Sequence, residues 1–333
     1  MEYRASEVPG YVIWRLGLGY ACAPPMSPGS DIAFSAQQPA ADLPVGVFDS
    51  GVGGLTVLRQ LELALPQEDF LYLGDTARLP YGTKSPDSIR RYSLQAATQL
   101  RERGVKALVV ACNTASAVAL EALRAAFAPM PVLGVVEPGA QAACAASRSG
   151  SIAVIATEST VRGRAYEAAI HRGRPDARVV SRACPLFVAL AEEGWVEGPV
   201  VEGVVRHYLE PLFDGAAQAP PPDTLVLGCT HFPVLAPAIA SVLGDRVVIV
   251  DSAWTTAQAL VGVLERARLR AGGTHRGSVR LLATDGAERF ARVGGRFLGR
   301  ELAPGEVEIV DLAPAGATPP DRPTTPVDTG RVA

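Results

Sequence analysis

Short, unbroken apolar runs recur along the chain. They are VGVF at 45–48, FLYLG at 70–74, ALVVA at 107–111, VLGVV at 132–136 and SIAVIAT at 151–157. ARVVS at 177–181, TLVLG at 224–228, VVIVD at 247–251 and VRLLAT at 279–284 follow. Apolarity without polar alternation suits strands covered on both faces, as in a parallel sheet. Stretches with helical spacing lie between the runs. SPDSIRRYSLQAATQLRERG at 85–104 carries the punctuation of a helix: Ser85 as N-cap, Pro86 at the first helical position, Gly104 after the last turn. Strand then helix, repeated, predicts an α/β fold with mainly parallel sheets flanked by helices.

Two of the runs end alike. LVVACNTASA (108–117) and LVLGCTHFPV (225–234) both lead from apolar run to cysteine to hydrogen-bonding residues. The echo divides the predicted strands between two similar α/β domains. A chain of 333 residues has room for them at about 100–200 residues each. The ends read differently. Residues 1–43 are expected to be a disordered extension, and the Pro- and Thr-rich 313–333 a disordered tail. Within the extension, YVIWRLGLGYACAPP has the outline of a signal peptide, but Arg15 interrupts it, and Met26 offers an alternative start.

The totals narrow the function classes. The composition is 48% hydrophobic and 20% charged, and 31 basic against 34 acidic residues give a net charge of −3. That leaves no general basic face for nucleic acid. No apolar run reaches the roughly 18–20 residues of a membrane span. Five cysteines, an odd number thinly spread, fit a reducing cytoplasmic setting better than a disulfide framework.

Candidate chemistry gathers at strand ends, where open α/β sheets bind ligands. In VFDSGVGGLTVL (47–58), Asp49 and Ser50 precede a turn of Gly51, Gly53 and Gly54 that can aim backbone N–H groups at an anion. Val57 breaks the dinucleotide pattern, and a plain strand–helix turn stays open. GDTARLPYGTKS (74–85) is a polar loop holding Tyr81 and Gly82. Cys112 and Cys229 each end a strand and open a helix, where the dipole favours a thiolate. Asn113 and Thr114 stand beside the first sulphur, Thr230 and His231 beside the second. Cys144 and Cys184 read as small buried hydrophobes. His171, His207 and His275 are too scattered for a metal site. Glu192 and Glu193 read as a solvated helix end. Two thiols facing one substrate would take a proton from one face of a carbon and return one to the other, inverting it with no cofactor. A two-domain binding protein is the non-enzymatic alternative. A redox switch is another, and needs Cα atoms about 4.4–6.8 Å apart.

VGVFDSGVGGLTVL, GDTARLPYGTKS, VVACNTASA, VVEPG and GCTHFPVL, in this order, resemble the glutamate racemases of the aspartate/glutamate racemase superfamily. The likeness runs from about Val45 to Val310. It implies cofactor-independent interconversion of L- and D-glutamate, supplying D-glutamate for peptidoglycan, with no metal. It implies Cys112 as the base for the D enantiomer and Cys229 for the L enantiomer. Asp49 and His231 would assist them, with Glu192 or Glu193 as a further acid. Substrate contacts carried over are Asp49, Ser50, Tyr81, Gly82, Asn113, Thr114, Thr230 and His231. The resemblance also implies a first domain of 44–139 plus 253–312, a second of 140–252, and a homodimer. The extension and the loop GAAQAPPPD (215–223) depart from the family. A racemase for another amino acid or a one-cysteine decarboxylase is the nearest alternative enzyme.

Overall fold

The structure, a computed structural model, describes residues 40–214, 220–273 and 276–312. The tail from 313, all but the last four residues of the 1–43 extension, Cys22, His275 and residues 215–219 of the Pro-rich loop lie outside the described residues.

The first elements are β1 (Val45–Asp49), α1 (Leu55–Ala64), β2 (Phe70–Gly74), α2 (Pro86–Glu102), β3 (Ala107–Val110), α3 (Asn113–Phe127) and β4 (Val132–Gly134). Then come α4 (Val136–Ala146), β5 (Ser151–Ala156), α5 (Glu158–Arg162), α6 (Ala165–Gly173), β6 (Arg178–Ala183), α7 (Pro185–Glu193), α8 (Pro199–Phe213), β7 (Thr224–Gly228), α9 (Ala236–Leu243) and β8 (Val248–Asp251). The chain closes with α10 (Ser252–Ala267), β9 (Val279–Ala283), α11 (Ala287–Leu298) and β10 (Val307–Ile309).

The strands form two sheets, ordered β10-β9-β2-β1-β3-β4 and β6-β5-β7-β8, and every pairing is parallel. The order β2-β1-β3-β4 of the first sheet recurs as β6-β5-β7-β8 in the second. Cys112 follows the third strand of one set and Cys229 the third strand of the other, which is the physical origin of the repeated sequence.

Both faces of each sheet are covered, as the unbroken apolar runs require. Val45, Val47, Tyr72 and Val109 pack under α1, α10 and α11, against Leu58, Leu260 and Phe290. Their neighbours Phe48, Leu73, Leu108 and Val110 point the other way, onto Ile89, Leu100 and Leu123 of α2 and α3. In the second sheet Ile155 and Leu227 meet Phe187, Val205 and Phe232, while Val154 and Val226 meet Val136, Ala140 and Ile170. The chain crosses between sheets twice. The run VLGVV is strand only to Gly134; Val136 already belongs to α4, which packs on the second sheet. The return is at Ser252, where α10 goes back to the first sheet.

Helix α2 has the predicted ends: the Ser85 hydroxyl accepts from Ser88 N at 3.3 Å, and Gly104 takes φ +77°. Two features differ from the sequence reading. Ala40–Asp42 form a 3-10 turn inside the segment assigned to the extension, and Ala41 O accepts from the buried Lys106 ammonium at 2.5 Å. Lys106 also pairs with Glu68 at 2.5 Å, so the packed chain begins ahead of residue 43. Strand β10 has no apolar run to announce it: at the sheet edge only Val307 is buried, and Glu308 and Ile309 face out. Among the described residues no helix is long and apolar enough to cross a membrane.

Candidate active site

The carboxyl ends of both sheets open onto one cavity of about 280 Å³. That is room for a small molecule, just below the roughly 300–1,000 Å³ of drug-sized sites. The first sheet contributes Ser50 after β1, Tyr81 and Gly82 after β2, and Cys112, Asn113 and Thr114 after β3. The second contributes Thr157 after β5, Glu192 from the end of α7, and Cys229, Thr230 and His231 after β7. Of the substrate contacts implied by the resemblance, Asp49 alone stands behind this lining, fully buried. Glu193 is exposed, so the phase of α7 brings Glu192, not Glu193, to this wall.

Cys112 caps α3. Its sulphur accepts from Ala115 N at 3.4 Å and its thiol donates to Ser50 Oγ at 3.4 Å. Position at a helix N-terminus favours a thiolate, but burial dominates here. Burial, reinforced by the Asp49 carboxylate, pushes the Cys112 thiol up to about 12, against the Ser50 and Ala115 hydrogen bonds. Asp49 accepts from Gly51 N at 2.9 Å through one oxygen and leaves the other buried with no partner. Burial raises its pKa, with His231 opposing.

The second thiol is built differently. Cys229 leads into a 3-10 turn, Phe232–Leu235, rather than directly into an α-helix. Its partner is a side chain: His231 Nδ1 lies 3.8 Å from the sulphur, and His231 Nε2 lies 3.1 Å from Glu192 Oε1. Arg289 donates to Glu192 Oε2 at 2.7 Å. Burial alone would lower the histidine's proton affinity; its bonds to Cys229 and Glu192 reverse this and lift it to about 10. Burial likewise acts to raise Glu192, and the charges of His231 and Arg289 outweigh it, leaving about 2. The thiol therefore sits beside an imidazolium held by a carboxylate.

Close contact between the lobes fixes this wall. Thr56 of α1 donates to Thr230 O at 2.9 Å. A Cβ on Gly53 would stand 2.4 Å from both His231 Nδ1 and Thr230 Oγ1, so only glycine lets the first lobe approach. Phe297 of α11 meets the His231 ring edge-on at 5.1 Å.

Neutral donors line the remainder. Asn113 Oδ1 accepts from Tyr166 at 2.6 Å, which orients its amide and leaves Nδ2 buried and unpartnered. The Thr114 hydroxyl lies 3.0 Å from that of Thr157 and 3.3 Å from that of Thr160. The Tyr81 hydroxyl donates to Asp75 at 2.5 Å, so the ring lines the cavity while its polar end is engaged elsewhere. Gly82 comes so near Thr157 that a Cβ would stand 2.9 Å away. Sequence reasoning missed Thr157, although it ends the run SIAVIAT and the strand-end rule applies to it. Cys112, Cys144, Cys184 and Cys229 are free thiols; Cys184 is fully buried and Cys144 half-buried. Among the described residues no group of three His, Cys, Asp or Glu side chains is arranged to hold a metal.

The His231–Glu192 pair predicts a pH signature. His231 is raised from 6.5 to about 10, so its contribution to stability is complete below about 6.5 and lost as pH rises through about 10. Glu192 is lowered from 4.5 to about 2, so its contribution is complete above about 4.5 and lost as pH falls through about 2. Glu192→Gln is expected to lower the melting temperature most between about pH 4.5 and 6.5. Imidazole NMR should show the His231 midpoint moving well below that of the parent. An equal loss of stability at pH 5.5 and pH 11 would show that the pair is not ionised.

The family model described as Asp/Glu/hydantoin racemase matches residues 46–260. A glutamate racemase of Geobacter metallireducens is 51% identical over 268 residues, 80% of this chain and 96% of that protein. The solved glutamate racemase of Francisella tularensis, in complex with D-glutamate, is 37% identical with a TM-score of 0.74, covering 82% of this chain and 98% of that one. The glutamate racemase of Thermus thermophilus, in complex with beta-chloro-D-alanine, is 44% identical with a TM-score of 0.72 over the same shares of the two chains.

Proposed function

The chain belongs to the Asp/Glu/hydantoin racemase family, and from that we propose that it is a cofactor-independent glutamate racemase working through two opposed thiols. The observation that carries this reading is the pair of cysteines at equivalent strand ends of two sheets, both lining one small cavity.

The two thiols are prepared unequally. In the L-to-D direction Cys229, with His231 Nδ1 3.8 Å from its sulphur, is the base, and Cys112, with its thiol at about 12, is the proton donor. L-glutamate placed between them loses its Cα proton to the Cys229 sulphur. The electron pair left behind spreads into the adjacent carboxylate. Cys112 then gives its proton to the opposite face of Cα, and D-glutamate forms. The enzyme is left with a Cys229 thiol and a Cys112 thiolate, ready for the reverse turnover or for exchange with water. Burial of both sulphurs strengthens each as a base once it is ionised, because no water solvates the charge.

The unpartnered Asn113 amide and the threonine hydroxyls are the donors available for the substrate carboxylates, at about 1.5–3 kcal/mol per charge-assisted bond. Asn113→Ala should therefore raise KM by about 10–150-fold, the same energies expressed as a ratio. The direct test follows circular dichroism of L-glutamate, then L-aspartate, with no cofactor added. Glutamate should lose its signal to zero, while aspartate, one methylene shorter, should reach only part of the donor set. Equal turnover of the two would overthrow the glutamate assignment. We extend the reading to a cytoplasmic homodimer supplying D-glutamate for peptidoglycan; the support for this extension is the resemblance to the family.

A further inference from the structure

Helix α11 belongs to the first lobe, packing its Phe290, Val293 and Phe297 into the core beneath the first sheet. Its outer residues reach the other lobe. Arg289 donates to Glu192 Oε2 at 2.7 Å, and Arg296 donates to Glu192 O at 3.0 Å. The Arg296 guanidinium lies across Gly194, the α7 cap, where a Cβ would stand 2.5 Å away. Phe297 rests edge-on against His231. One helix thus grips the end of α7 at side chain and backbone and supports the imidazole as well. Among the described residues no comparable device reaches Cys112, whose supports, Ser50, Ala115 and Asp49, come from its own lobe.

We propose that Arg289 is a positioning residue for the Cys229 half-reaction alone: from the first lobe it fixes Glu192, and through Glu192 it holds His231 against the Cys229 sulphur. This rests on the two-thiol reading. The charged and titratable groups facing His231 are Cys229 from its own strand end, Asp49 from β1 and Glu192 from α7. Arg289 of α11 holds the Glu192 oxygen opposite the one that meets the imidazole.

Racemisation rates cannot expose a one-sided effect. The two enantiomers have equal free energy, so kcat/KM must fall equally in both directions. A half-reaction can expose it. With 3-chloroglutamate, the sulphur facing the Cα–H bond takes that proton and chloride leaves Cβ with its bonding pair. The resulting enamine tautomerises and hydrolyses to 2-oxoglutarate and ammonia, using one base only. The α-L form uses Cys229 and the α-D form Cys112.

Arg289 is half-exposed, so Arg289→Met is expected to fold. It should cut elimination from the α-L form at least about tenfold and change the α-D form by less than about twofold, an energy near 1.4 kcal/mol on one side only. Arg289→Lys, which keeps a cation on Glu192, should restore most of the α-L rate. In Arg289→Met the His231 midpoint, read by imidazole NMR, should fall. Equal losses for both hands, or no loss for either, would overturn the assignment. Parent enzyme that eliminates from neither hand would instead sink the two-thiol reading, and this assignment with it.

Discussion

Serine at either Cys112 or Cys229 should lower racemisation by about 10²–10⁴-fold, the range for loss of a positioned acid–base group. The substitution changes one atom in a nearly closed site, since both cysteines are 5% exposed, so packing is largely preserved. What changes is basicity. A serine hydroxyl ionises far less readily than a thiol, and burial raises its cost further. Each variant keeps the opposite thiol, so each should still eliminate chloride from one hand of 3-chloroglutamate: Cys112→Ser from the α-L form, Cys229→Ser from the α-D form. Wild-type racemisation by either variant would remove that sulphur from the mechanism. Elimination of the same hand by both variants would place both bases on one face, and inversion would need another explanation.

Gly53→Ala is expected to cost about 1–3 kcal/mol of stability through overpacking and to lower turnover by about 10²-fold. The new methyl would stand 2.4 Å from His231 Nδ1 and from Thr230 Oγ1. Neither neighbour is a loose chain end. Thr230 is tied through its carbonyl to Thr56, and His231 is held by Glu192 and Phe297. Relief must come from parting the lobes at the wall that carries Cys229. Gly305→Ala is the control, because a Cβ there meets nothing within 4 Å. If the two variants have equal turnover, the close approach at Gly53 does not hold the site together.

Strands buried on both faces, and residues ending them, were legible because their causes are local. Phe48 and Val47 face opposite helical layers, and both must be apolar. Repetition of one strand order in two sheets made the cysteine pair legible. Strand β10 was not, since an edge strand needs only Val307 inside. The helix-dipole expectation for Cys112 was overridden by burial beside Asp49, which depends on how the sheet is covered rather than on the flanking residues. The choice of Glu192 over Glu193 needed the phase of α7 against α11. Arg289 and Phe297 reach the site from a helix that follows the whole second lobe in sequence, and no neighbouring residue marks them.

The two crossings between sheets have a bearing on how the chain is made. Because the second lobe is inserted between β4 and α10, all four strands of its sheet leave the ribosome before the first sheet can close. Until Val279–Ala283 emerges, one edge of β2 has no neighbour, and Phe70–Gly74 presents an apolar ribbon with free backbone groups. Such an edge invites pairing with another nascent chain. The inserted lobe is thus a self-contained early product of synthesis, and the outer edge of β2, rather than either thiol, is the place where a stalled or truncated chain is most exposed to aggregation.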